Sequence, residues 1–282
     1  MRKIRMMILA GICTFALGGC GVSQEVTDQQ IALRSQGMEH ALAGEYEEAV
    51  AAYNEALSLA GMRAGSLELD IASYKASALY REGKLSEAID TCTAVLDLKK
   101  SAEMYLTRGI LYREAGDTEA AKADFEAVME RTSSKDQIML GRVSYYMEDY
   151  AKAKEYLEAA SKAGNTEADY WQAELYWQMG NVDYAVTLYQ NYLQGEVQHQ
   201  EAYAKVANYQ ISQGDYDGAL QTLESGIAMG DGGSLQTLLA AEIAVYEHKG
   251  DFETAKIKME SYLERYPNDE EAAREYEFLR SR

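Results

Sequence analysis

Residues 44–57 read GEYEEAVAAYNEAL. A glycine ends one apolar run, a tyrosine follows two residues on, and Ala49 and Ala56 share a face of the next run. The stretch reads as the corner of a helix hairpin. Gly44 closes one helix, Tyr46 plugs the junction, and the alanines sit where two helices must approach closely. The corner returns with Gly83, Gly116, Glu148, Gly180, Gly214 and Gly250, at spacings of 39, 33, 32, 32, 34 and 36 residues. A period of this size is the sequence mark of a repeat array.

The register holds column by column. Five residues after each turn residue stands an alanine: Ala49, Ala88, Ala121, Ala153, Ala185, Ala219 and Ala255. Two after it stands Tyr46, Leu85, Thr118, Tyr150, Val182, Tyr216 or Phe252. Nine after it stands Tyr53, Cys92, Phe125, Leu157, Tyr189, Leu223 or Met259. Seven before it stands Gly37, Ala76, Gly109, Gly141, Ala173, Ala207 or Ile243. A small residue admits a neighbouring helix, and a bulky one fills the space beside it. The set resembles the tetratricopeptide repeat over about residues 30–268, in seven copies. Three departures stand out. The family's proline late in the second helix occurs only as Pro267, Glu148 replaces a turn glycine, and Ile243 occupies the small-residue column.

The resemblance implies an all-α fold, an α-solenoid of seven helix-turn-helix repeats. First helices are expected from about Gln29, Leu69, Ala102, Ser134, Thr166, Gln200 and Gln236, and second helices just after each turn residue. No copy can bury its apolar face alone, so the copies should stack into a curved rod. The organisation expected is a signal segment over 1–19, a tether over 20–28, the solenoid over 29–268 and a capping helix over 269–282. Thr27 or Asp28 is placed to cap the first helix. The glycine-bearing linkers at 61–66 and 229–234 mark expected points of flexure.

The net charge is −19, and the chain holds one proline. Such an acidic balance argues against nucleic acid as a partner and against attraction to an anionic membrane surface. The first twenty residues read differently. Arg2, Lys3 and Arg5 precede an apolar stretch of twelve residues, too short to span a bilayer comfortably. The stretch ends Leu17-Gly18-Gly19-Cys20, which resembles the lipobox of bacterial lipoproteins. That resemblance implies cleavage before Cys20, acylation of its sulfur and anchoring on the extracytoplasmic face of a membrane. Cleavage removes three basic residues and no acidic one, leaving a net charge of −22. Cys92 would then be the one cysteine without lipid, in a column that buries small apolar groups.

No catalytic pattern emerges. His40, His199 and His248 lie in separate copies without metal-ligand spacing, and no phosphate-binding loop or nucleophile elbow is present. No enzyme activity, cofactor or metal is expected. The expected partner is a protein or peptide. In the resembling family the first helices line the concave face, so residues three and six before each turn should point inward. The middle copies place Tyr80, Arg113, Arg142, Tyr145, Tyr146, Tyr170, Glu174 and Trp177 on or beside those positions. Tyrosine, tryptophan and arginine dominate binding hot spots, and arginine takes carboxylates bidentately. The same aromatics serve equally well as packing between repeats, and only geometry separates the two uses. Two rival functions stay open: an assembly factor of an envelope machine docking by its convex face or cap, and a binder of glycans or small molecules using the tyrosines and Trp171 or Trp177 as stacking platforms.

Overall fold

The computed structural model describes residues 24–196, 198–230 and 233–281. The expected signal segment, Cys20, Val197, Asp231 and Arg282 lie outside the described residues. The described chain is all-helical. Seven hairpins follow in order: α1 (Gln24–Leu42) with α2 (Tyr46–Ala60), α3 (Ser66–Arg81) with α4 (Leu85–Leu98), α5 (Ala102–Glu114) with α6 (Thr118–Arg131), and α7 (Gln137–Tyr146) with α8 (Tyr150–Lys162). Then come α9 (Glu167–Gln178) with α10 (Val182–Tyr192), α11 (Gln200–Ser212) with α12 (Tyr216–Ala228), and α13 (Leu235–His248) with α14 (Phe252–Arg265). A single helix, α15 (Glu270–Arg280), covers the last hairpin.

All seven corners share one geometry. The turn residue has positive φ at each, from 61° at Glu148 to 82° at Gly83. The residue after it donates its N–H to the carbonyl five positions back, from Glu45 to His40 through Asp251 to Tyr246. This is the Schellman closure, which satisfies carbonyls that a helix end leaves bare. Glu148 is the one non-glycine with positive φ among the described residues. An L-residue there costs about 1–2 kcal/mol, and the closing bonds from Glu148 to Tyr145 and from Asp149 to Ser144 hold it in place. Four corners add an N-cap the column reading overlooked: Asp117, Asp149, Asp215 and Asp251 accept from the backbone three residues on.

The columns form the core. Every alanine five after the turn is at most 3% exposed, and every residue nine after it at most 5%. The two helices of a hairpin meet where the small column faces the bulky one. A Cβ on Gly37 would lie 2.5 Å from Tyr53, one on Gly109 2.6 Å from Phe125, and one on Gly141 2.6 Å from Leu157. The aromatic or leucine occupies the volume the glycine leaves empty. Ile243 breaks the column without breaking the fold, because its counterpart nine after the turn is the adaptable Met259.

Each helix packs chiefly on the next, and first helices also touch one another, α1 on α3, α3 on α5, α7 on α9 and α11 on α13. The closer layer of a bent stack is its inner one, so first helices line the concave side. Two long linkers are tied by a pair of buried glutamines at one register position, fourteen before the turn. Gln30 donates to the Ala56 carbonyl and Gln200 to those of Gly226 and Gly230.

Two expectations need correction. The tether does not extend to residue 28: Gln24–Asp28 are the opening of α1, where the Gln24 amide bonds Asp28 at 2.8 Å, so Thr27 and Asp28 are helical rather than capping. Asp136, not Ser134, leads into α7, because it caps that helix by accepting from the Met139 N–H. The curved stack also brings repeat two against the loop before α13.

Candidate functional site

The inner face of repeats three to six brings seven of the eight predicted residues into one neighbourhood; Tyr80 belongs to repeat two beside it. Trp171 is its hub. Its ring centroid lies 5.7 Å from Tyr145, 5.8 Å from Tyr146 and 5.6 Å from Tyr170, all edge-on. Edge-to-face contacts set the positive rim of one ring against the negative face of another. The Arg142 guanidinium sits 5.4 Å over the Trp171 ring and bonds Glu103 of the preceding repeat at 3.1 Å. Arg113 lies 4.9 Å over Tyr146. Each cation thus joins one repeat to the next through an aromatic face.

The second half of the neighbourhood centres on Glu174, which is 9% exposed on α9. Tyr189 of α10 donates its hydroxyl to one carboxylate oxygen, and Lys205 of α11 reaches the other at 3.3 Å. Lys205 also lies 5.0 Å over Trp177. Tyr170, 5% exposed, donates to Glu201 at 3.1 Å. Burial and the nearby Glu174 charge push the Tyr170 and Tyr189 phenols well above their ordinary pKa. Burial, and then Glu174, moves Tyr145 up to about 12. Burial raises Tyr146 too, against the lowering charges of Arg142 and Arg113. These phenols stay protonated at neutral pH and act as hydrogen-bond donors.

The geometry separates the predicted residues. Tyr170 and Glu174 are buried structural groups that bind one repeat to the next. Arg142, Tyr145, Tyr146 and Trp177 are half-buried, with part of each side chain on the inner surface. Tyr80 and Arg113 are exposed; the Tyr80 hydroxyl bonds Glu114 at 3.4 Å. Trp171 and Lys205 were absent from the inward positions because they lie nine before the turn, on the flank of the helix rather than its crest. The signal for Trp171 was its place directly after Tyr170, in a copy already carrying Trp177. A cleft of about 840 Å³ lies elsewhere, between α12, α13 and α14, and is lined by none of the predicted residues.

Chemically the neighbourhood offers faces, phenol donors and paired charges. Among the described residues no three His, Cys, Asp or Glu side chains group to hold a metal. No described helix is long and apolar enough to cross a membrane. Cys92 is buried, and burial drives its thiol up to about 12.

Comparison with known proteins places this geometry. A tetratricopeptide repeat model matches residues 34–103, 138–203 and 172–234, and a second one matches 102–134. No curated protein matches the sequence. Among solved structures, a tetratricopeptide repeat protein from Parabacteroides merdae is 17% identical, with 89% of this chain and 99% of that one covered at a TM-score of 0.50. Yeast Tom70 is 15% identical, with 96% of this chain and 59% of that one covered at a TM-score of 0.66. At such identities the likeness concerns the fold.

Proposed function

Because the chain belongs to the tetratricopeptide repeat family, a fold suited to protein–protein interaction, we propose that it is a non-enzymatic scaffold that binds a protein or peptide along its inner face. One observation carries this reading. After the repeats have been joined, Tyr80, Arg113, Tyr145 and Trp177 still present surface on one side of the stack. Aromatic rings and an arginine on a preorganised surface bind at low entropic cost. The paired charges beneath them fix the rings in place, so a ligand meets a formed surface.

The scaffold works outside the cytoplasm in this proposal, tethered through lipid on Cys20. The basic start, the short apolar stretch and the Leu17-Gly18-Gly19-Cys20 motif support it. Tethering raises the effective concentration of the binding face near membrane partners.

The test is crosslinked affinity capture from native cells, comparing the wild type with a combined Tyr80→Ala, Arg113→Ala and Trp177→Ala variant whose helicity is checked by circular dichroism. A partner held by the wild type and lost from the folded variant is the expected result; retention by both rejects the inner face. In the same cells, Cys20→Ser should move the protein from the membrane fraction to the soluble one, and unchanged membrane fractionation rejects the anchor.

A further inference from the structure

Stacking gives each repeat contacts with the repeats beside it. One hydrogen bond departs from that rule. Arg81, at the end of α3, donates from Nη1 to the carbonyl of Gly233 at 2.8 Å, across 152 positions of sequence. Gly233 precedes α13, so the second repeat reaches the junction of the sixth and seventh. A Cβ on Gly233 would lie 2.6 Å from the guanidinium, so the missing side chain is what admits Arg81.

Clefts with walls from both ends of the array surround this bond. One of about 260 Å³ sets Tyr46, Tyr74 and Ser77 against Gln236, Thr237 and Tyr266. Another, about 500 Å³, sets Gly44 and Glu45 against Glu264 and Pro267. A third, about 390 Å³, places Arg81 opposite Trp177, Lys205 and Asn208 of the inner face. These adjoining clefts form one continuous seam that brings the beginning of the array against its end.

We infer that the first two and the last two repeats form a self-docking surface, latched by Arg81, which closes the superhelical turn beside the inner face. The fitting partner for this surface is the chain's own opposite end. Arg81 suits a latch. On the first helices, Arg34, Arg108 and Arg142 are each held by a carboxylate, Asp70, Asp124 and Glu103. Arg81 has no carboxylate within ion-pair distance among the described residues and is held by a neutral carbonyl. Such a tie is weaker than an ion pair, so the seam opens before any joint inside the array. Trp177 and Lys205 share a cleft with the latch, so an occupant of the inner face and the closed turn contest the same space. That consequence rests on the inner-face reading; the latch itself does not.

The test uses the full chain with the photoreactive residue p-benzoylphenylalanine replacing Ser77, which is exposed at the seam. Illumination should join position 77 to the 233–237 segment within one molecule, with a yield independent of dilution and read by peptide mass spectrometry. Arg81→Ala should lower that yield on the order of two- to tenfold, the shift one such hydrogen bond produces. Arg81→Lys, which keeps a donor on a shorter arm, should fall between. Arg81 is exposed, and circular dichroism checks that each variant is folded. Crosslinks confined to neighbouring repeats, or a yield indifferent to Arg81→Ala, overturn the proposal. The experiment contains no partner, so its failure leaves the inner-face reading standing, and failure of the capture experiment leaves the latch standing.

Discussion

The centre of the inner face and its C-terminal end are built from the same register, yet they treat charge in opposite ways. At the centre, Glu174 is buried with two donors, Tyr189 and Lys205, and Arg142 is paired with Glu103. At the end, Glu247 holds the position that Trp177 holds two repeats earlier. One of its oxygens is buried without a partner, and it faces a cleft with Asp269, Glu271 and Glu275. A buried carboxylate with partners ties repeats together, whereas one without them strains the joint it sits in. Glu174 therefore joins three helices, whereas the buried oxygen of Glu247 adds nothing to the joint it sits in.

Substitutions that abolish this contrast should have unequal costs. Tyr189→Ala removes a fully buried ring and the donor to Glu174, and should cost about 3–5 kcal/mol in thermal or chemical unfolding. Loss below 1 kcal/mol would erase the distinction between centre and end. Tyr189→Phe isolates the hydrogen bond and should cost about 1–3 kcal/mol, since it strands a buried acceptor. The matching change at the cap, Tyr276→Phe, removes a solvent-facing bond to Glu260 and should leave the melting temperature unchanged. Equal effects from the two would show that burial does not set the difference.

The smallest effect has the opposite sign. Burial, and then the charge of Glu275, raises the pKa of Glu247 above its ordinary value. The folded protein then binds this proton more tightly than the unfolded chain does. Ionisation costs stability as pH rises from the unfolded pKa through the raised folded one. Glu247→Gln should thus stabilise the C-terminal repeat slightly at pH 7 and lose that advantage below about pH 4, where the unfolded carboxyl is itself protonated. Amide hydrogen exchange in α13 and α14 at the two pH values would read it. Destabilisation at pH 7 would mean that the charged form of Glu247 has a partner the structure does not contain.

The fold was readable to a fine level. Five columns of small, bulky and turn residues, restated in seven copies, predicted seven hairpins, and every turn residue, Glu148 included, adopts the required positive φ. The helix starts were less readable. Asp136 and the Gln24–Asp28 bond settle two of them, and each is a side-chain bond that periodicity does not weigh. The inner face was readable only as a set of residue types. Tyr170 and Tyr145 look alike in sequence, yet one is consumed by Glu201 and the next repeat while the other keeps surface. Lys205 was overlooked, and Trp171 was read only as a platform for a glycan or small molecule, because a strict inward position does not allow for side chains that reach around a helix.

What the sequence alone determined is the repeat itself: the period, the left-handed corner, and the small residue that admits a large one sixteen positions later. These are demands within one hairpin or between two neighbours, and each copy restates them. What only the tertiary structure decided is which inner-face groups are spent on joining repeats, and that Arg81 meets Gly233. Both depend on the rotation that accumulates from repeat to repeat. No single copy encodes that sum, because small differences in packing at each joint add along the stack before its ends can meet.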